Sequence, residues 1–231
     1  MSKEASAAAS PYIKFVLPAP DGYSAGSFLK GAAMKVITLS REYGAGGHSI
    51  GRKVAAQLGI PFYDKDIIKE AVKATGFDSD LVEDEGEDIS KFESFMTTLG
   101  NLSSSYYSDS HEKLKMIQEA VIKDFALKGP CVILGRCADN VLLNAGIDCF
   151  NVFIYADELH RAKRVAELIG TDDPAAIKRA MMKKDTARHN YYNRFTGKKW
   201  GFADNYHLSV DSGFLGFDKC AEIIADIAKN S

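Results

Sequence analysis

The sequence lacks an excess of either charge. Its 29 basic and 31 acidic residues leave a net charge of −2 over 231 residues. That balance excludes a broad nucleic-acid or membrane-surface footprint. Cysteine pairs are also lacking. Among Cys131, Cys137, Cys149 and Cys220 no two have CxxC spacing, and no histidine stands at metal-finger spacing. Most of them lie in apolar or helical runs, the usual setting of a small buried hydrophobe, so structural thiols are expected. No apolar run reaches the ~18 residues that span a bilayer. No basic start leads into a continuous apolar core, so the N-terminus is a poor signal peptide. No internal repeat occurs. These absences together point to a cytoplasmic protein with neither nucleic acid nor membrane as partner.

Hydrophobic residues make up 46% of the chain, enough for one sizeable core. Residues 1–33 are rich in Ala, Ser, Gly and Pro and read as a flexible N-terminal extension. Met34 would begin the folded domain naturally, which then occupies residues 34–231. Residues 35–39 (KVITL) form a β-rich run, followed by a glycine-rich turn and by helical spacing over 49–58. Phe62 and Tyr63 suggest a second strand, and 66–75 a helix closed by Gly76. Residues 76–110 form an acidic and then aromatic insert, read as a solvated, partly helical segment. A long helix is expected over 111–128, a buried strand over 131–134 and a short helix over 139–144. Another strand is expected over 150–155 and a basic helix over 158–169. Asp173-Pro174 then caps a helix running to about Tyr192. The last strand is placed at 206–210 and the last helix at 217–229. Alternating strands and helices predict an α/β fold with a parallel sheet between helical layers.

Residues 40–52 are the firmest functional feature. A strand, a glycine turn and a helix start aim backbone N–H groups and the helix dipole at one point, where phosphate binds. Gly44, Gly46 and Gly47 permit positive φ and close backbone approach. Against the phosphate-loop pattern GxxxxGK[ST], Arg41 stands at the first glycine and Gly46 at the second. Gly47 stands where the lysine belongs, His48 takes the hydroxyl position, and Ser49 follows it. Ser49 is the candidate hydroxyl for Mg²⁺. Arg41, Arg52 or Lys53 would have to supply the missing charge.

Several arginines follow. Gly135-Arg136 ends a buried strand, at the sheet edge where ligands collect. Arg161 and Arg164 share one face of a helix, and Asp185 with Arg188 repeats that spacing on the next. Tyr191, Tyr192 and Arg194 come just after. Phosphoryl transfer needs several cations around the moving group, which sequence-separated arginines would supply. Trp200 reads either as core packing for the last strand or as a base-stacking element of a lid.

The segments VITLSREYGAGGHSIGRKVAAQLGIPFYDKDII, ILGRCADNVLL, DTARHNYYNRFTGKKW and YHLSVDSGFLG resemble the cytidylate kinase-like family of P-loop proteins. The resemblance covers about residues 35–229. It implies a three-layer P-loop NTPase fold, with a helical acceptor-side insert (76–110) and a lid region (185–205). By that resemblance Arg41, Gly44, Ala45, Gly46, Gly47, His48 and Ser49 would cradle ATP, with Mg²⁺ met by Ser49. Asp64 matches an acidic position near the acceptor's sugar or base. Arg136 matches the arginine on the acceptor phosphate, and Arg161 an arginine of the following helix. Asp185 and Arg188 match lid residues that hold the acceptor and neutralise the transfer. The resemblance implies ATP-dependent phosphorylation of a nucleoside monophosphate, CMP or dCMP in kind, by a monomer or homodimer. Because Gly47 replaces the lysine, a nucleotide-binding sensor or adaptor without catalysis stays open, and the acidic, aromatic insert at 76–110 keeps open a kinase for a non-nucleotide acceptor.

Overall fold

The structure is a computed structural model that describes residues 35–74 and 104–230. The N-terminal extension lies outside the described residues, as does the acidic insert up to residue 103. The described chain runs β1 (Val36–Arg41), α1 (Gly47–Leu58), β2 (Phe62–Tyr63) and α2 (Lys65–Ala74). It continues with α3 (Ser104–Leu127), β3 (Val132–Leu134), α4 (Ala138–Asn144) and β4 (Cys149–Tyr155). Then come α5 (Glu158–Ile169), α6 (Pro174–Thr196), a 3₁₀ turn (Ala203–Asn205), β5 (Leu208–Asp211), α7 (Ser212–Leu215) and α8 (Phe217–Asn230).

The five strands form one parallel sheet in the order β2-β3-β1-β4-β5. β1 is central, pairing Ile37 with Val132 of β3 and with Phe150 of β4. A central parallel strand is covered on both faces and reads as a continuous apolar run. Residues 36–39 are accordingly all buried, and the Thr38 hydroxyl donates to Asn151 Oδ1 at 2.7 Å.

On one face Ile37, Leu39, Val152 and Ile154 pack with Ile50 and Val54 of α1 and Ala221 and Ile224 of α8. On the other face Ile133 packs with Ile68, Ile122, Phe125, Val141 and Leu142 from α2, α3 and α4. The expected three layers are present. The helices that follow β1 and β3 therefore leave on opposite faces, and a crevice opens between the carboxyl ends of these neighbouring strands.

Local signals set most boundaries. α1 stops at Gly59, whose left-handed backbone lets its N–H reach the Ala55 and Ala56 carbonyls. Asp173 caps α6 by accepting from the Ala175 and Ala176 N–H groups, with Pro174 at the first position. α6 passes the expected end at Tyr192 and closes on Gly197. α3 begins at Ser104 rather than 111. The last strand begins at Leu208 rather than Tyr206, because the Tyr206 hydroxyl turns to Ser40 and Tyr192 instead. All four cysteines are free, and burial is the main cause that pushes their thiols up, Cys149 and Cys220 to about 11.

Ile37→Ala should destabilise the protein by about 3 kcal/mol, since it opens a cavity at the centre of the sheet. Phe214→Ala, at an 86% exposed position, should stay within about 0.5 kcal/mol of wild type. Urea unfolding of both variants checks the pair.

Candidate active site

The segment joining β1 to α1 is short and held from several sides. Glu42 N–H continues the sheet by donating to the Ile154 carbonyl at 3.0 Å. Ala156 N–H donates to the Glu42 carboxylate at 3.2 Å. Ser212 Oγ donates to the Ala45 carbonyl at 2.8 Å. Gly46 is the N-cap of α1, left-handed at φ 75°, and no side chain caps the helix there. The first N–H groups of α1 thus lack an intrahelical partner and face outward with the positive end of the dipole, the ordinary setting for an anion.

The glycines are also required by packing. A Cβ on Gly44 would stand 2.8 Å from the Arg161 carbonyl oxygen, and one on Gly46 2.3 Å from the Phe217 ring. A Cβ on Gly47 would stand 2.6 Å from Arg41 Cγ.

Behind the loop sits an ion cluster. Arg161 Nη1 donates to Asp185 Oδ2 at 2.5 Å, and its Nε lies 3.4 Å from Glu42 Oε2. Asp185 Oδ1 accepts from the Tyr43 N–H at 2.7 Å. Burial raises the Glu42 carboxyl above its usual range, and Arg161 opposes that rise. α5 and α6 are thereby locked onto the loop. Neither Arg161 nor Asp185 lines the cavity described next.

That cavity occupies the crevice between the ends of β1 and β3, with Arg41, Lys65, Arg136, Asp139, Arg188 and Trp200 in its walls. Arg188 Nη1 donates to the Arg41 carbonyl at 3.2 Å, and its guanidinium lies 5.6 Å from the Tyr43 ring centre. Arg136 bonds the Tyr191 hydroxyl, which burial pushes up to about 12. Gly135, Arg136 and Cys137 all have left-handed backbones, at φ 79°, 59° and 51°. For the two that carry side chains this costs on the order of 1 kcal/mol each. The strained turn carries Arg136 to the cavity wall, a setting where strain is often tolerated for function.

Sequence reasoning missed the polar floor of the cavity. Tyr192 OH donates to the buried Asp139 at 2.7 Å. The Tyr206 hydroxyl bonds both Tyr192 and Ser40, and Trp200 Nε1 donates to Ser40 Oγ at 3.0 Å. Burial raises the Asp139 carboxyl, and the Tyr192 hydroxyl works against that rise. The only signal in sequence was an acid within the apolar segment ILGRCADNVLL. Trp200 packs edge-on against Phe153, consistent with its core reading, while one side still meets the cavity.

The remaining expected residues lie elsewhere. His48 Nε2 is 3.1 Å from Asp64 Oδ2, and Asp64 Oδ1 accepts from the Asp66 and Ile67 N–H groups at the start of α2. Burial favours the neutral Asp64 carboxyl, but these N–H groups and His48 outweigh it and lower the pKa. Arg52 is exposed, and Lys53 is paired with Asp218 at 2.5 Å, so of the three possible loop cations only Arg41 meets the cavity. Arg164 pairs with Glu167, and Arg194 lies over Phe195. Among the described residues no cluster of three or more His, Cys, Asp or Glu side chains could hold a metal. Ser49 lies in the first turn of α1, half-buried.

A central parallel strand, an uncapped glycine-rich helix start and an arginine-walled crevice at the carboxyl edge define a P-loop kinase-like protein. The chain belongs to the cytidylate kinase-like family, which it matches over residues 36–213. It is similar to an uncharacterized protein from Eubacterium ventriosum, with 25% identity and a TM-score of 0.65 over 85% of this chain and 99% of that one. A gluconokinase from Sinorhizobium meliloti shares 17% identity at a TM-score of 0.46, covering 85% of this chain and 95% of its own. The APS kinase of Mycobacterium tuberculosis shares 19% at 0.45, covering 85% and 99%. No curated protein matches the chain. No helix among the described residues is long and apolar enough to cross a membrane.

Arg161→Ala should cost about 2–3 kcal/mol, because it removes the cation beside Glu42 and leaves Asp185 only Arg188, at 3.7 Å, beneath the loop. Thermal and urea unfolding measure this. Asp139 titrates in the opposite sense from a salt-bridged acid. Its folded pKa lies above its ordinary value of 3.8, so between the two the folded state holds the extra proton. The stability due to that proton is complete below 3.8 and is lost as pH rises through the folded pKa. Asp139→Asn keeps an acceptor for Tyr192 but cannot ionise. It should therefore gain stability relative to wild type as pH rises, in urea unfolding from about pH 3 to pH 8.

Proposed function

We propose that this protein transfers the γ-phosphoryl group of ATP to a nucleoside monophosphate of the CMP or dCMP kind. It would act in the cytoplasm on small nucleotides, as a monomer or homodimer. The observation that carries this reading is the meeting of Arg41, Arg136 and Arg188 in one cavity beside the uncapped start of α1. A phosphoryl group in flight spreads charge over its oxygens, and fixed cations stabilise it without reorganising. A doubly anionic acceptor phosphate adds charge that arginine forks neutralise better than a neutral hydroxyl acceptor would require. Membership of a cytidylate kinase-like family supports the choice of a pyrimidine acceptor.

In this reading the backbone of Gly44, Ala45, Gly46, Gly47, His48 and Ser49 holds the ATP phosphates. The Ser49 hydroxyl would help hold a Mg²⁺, which would supply charge that offsets the phosphates. Arg136 and Arg188 hold the acceptor phosphate in line. An acceptor oxygen attacks phosphorus, the bond to the β,γ-bridging oxygen breaks, and ADP leaves with that electron pair. Arg161 and Asp185 act as positioning residues, through the loop they anchor. Asp64, fixed by the Asp66 and Ile67 N–H groups at the start of α2, would meet the acceptor's sugar or base. Residues 185–205 serve as the lid side of the site and 76–110 as its acceptor-side insert.

The test is ADP release against a panel of nucleoside monophosphates. Arg136→Ala should lower kcat/KM about 10²–10³-fold, with a melting temperature close to wild type. Nucleotide binding without turnover on any acceptor would instead support the sensor or adaptor reading.

A further inference from the structure

The loop has no lysine, yet the position it would occupy is filled. Arg41 leaves the last residue of β1 and lays its stem across Gly47. Its Cγ, Cβ and Cδ lie 2.6, 2.8 and 3.3 Å from where a Cβ on Gly47 would stand. Its guanidinium then reaches the end of β3, where Nη1 lies 2.6 Å from the place of a Cβ on Gly135. That second glycine is left-handed, at φ 79°. The arginine thus runs from the first residue of α1 to the cavity between β1 and β3. Two bare backbone positions accommodate it, one under its stem and one under its head.

A lysine at position 47 would start its side chain inside the volume of the Arg41 stem. Contacts of 2.6–2.8 Å to a stem fixed at its own backbone cannot be relieved by a small shift. The site therefore admits one long cation at this place, carried either by residue 47 or by residue 41.

Resting on the phosphoryl-transfer reading above, we propose that Arg41 is the catalytic cation of the loop, exchanged for the usual lysine, with Gly47 as its required counterpart. Arginine brings a permanent charge and a planar fork of donors that matches two phosphate oxygens at once, where lysine brings a point charge. The absence of lysine is then a relocation of charge rather than a loss of catalysis. This also deepens the specificity of the site. A cation between the β- and γ-phosphates should favour ATP over ADP.

The test compares wild type, Arg41→Ala, Arg41→Gly, Gly47→Lys and the double variant Arg41→Gly/Gly47→Lys, with glycine at 41 because alanine would keep the Cβ that stands 2.8 Å from a Cβ on residue 47. Calorimetry measures the affinities for ADP and for a non-hydrolysable ATP analogue with Mg²⁺, coupled ADP release measures turnover, and thermal melts measure folding. Arg41→Ala should weaken the ATP analogue about tenfold or more while changing ADP less, and lower turnover about 10²-fold or more. Gly47→Lys should also lose binding and melt early, because both side chains compete for one volume. The double variant should recover at least about tenfold over each single variant, with its lysine in the vacated path. If Gly47→Lys fails to fold, recovery of folding in the double variant reads the same coupling. An unchanged ratio of ATP-analogue to ADP affinity in Arg41→Ala overturns the role of Arg41 and leaves the kinase reading intact. Strictly additive losses in the double variant overturn the exchange. If wild type binds neither nucleotide, the phosphoryl-transfer reading falls, and the role of Arg41 with it.

Discussion

Everything at this site depends on how the segment between β1 and α1 is held still. Three charged side chains do most of that work: Arg161 stands between Glu42 and Asp185, and Asp185 also accepts the Tyr43 N–H. Glu42 in turn accepts from Ala156 at the end of β4. One cluster thus joins the loop, the neighbouring strand, α5 and α6. Its members are largely buried, where one charge left unpaired is costly and a complete set is tolerated. A loop that presents backbone donors to phosphate must not reorganise when charge arrives. The arginine nearest the loop in this cluster therefore serves stability and positioning together.

How much of this is legible in sequence depends on the range of each signal. β1, the glycine turn and α1 are legible because apolar run, turn and helix cap are all local. So is α6, whose Asp173-Pro174 start and Gly197 stop are each read from neighbouring residues. Arg136 is legible as a sheet-edge arginine once residues 131–134 are taken as a strand. The exchange of roles among the arginines is not. Arg161 and Arg188 sit on similar helical patterns beside acids. Only their distances show that Arg161 stays within the ion cluster while Arg188, 3.7 Å from Asp185 in the same cluster, also reaches the cavity.

The polar floor is hidden for the same reason. Ser40, Asp139, Tyr192, Trp200 and Tyr206 come from five separate stretches of chain and meet through side-chain hydroxyls and an indole. No periodicity links them. The floor also moves an element boundary. Tyr206 belongs to a β-prone run, yet its hydroxyl is held at the end of β1, so pairing with β4 begins only where His207 N–H meets the Asn151 carbonyl. A tertiary contact here outweighs strand propensity, as contacts to buried polar groups commonly do.

The glycines make the final point about inference. Gly44 faces the Arg161 backbone, Gly46 faces Phe217, and Gly47 lies under Arg41. Each would be demanded by the protein's own packing even if no ligand ever bound. A glycine-rich turn alone is therefore weak grounds for a phosphate site in this chain. The stronger grounds are electrical. Three arginines from β1, the turn after β3 and α6 share one crevice, and the stem of one of them, Arg41, lies against Gly47 at the uncapped start of α1. The glycines make that assembly sterically possible, and the gathered charge is what carries the proposal of a phosphate site.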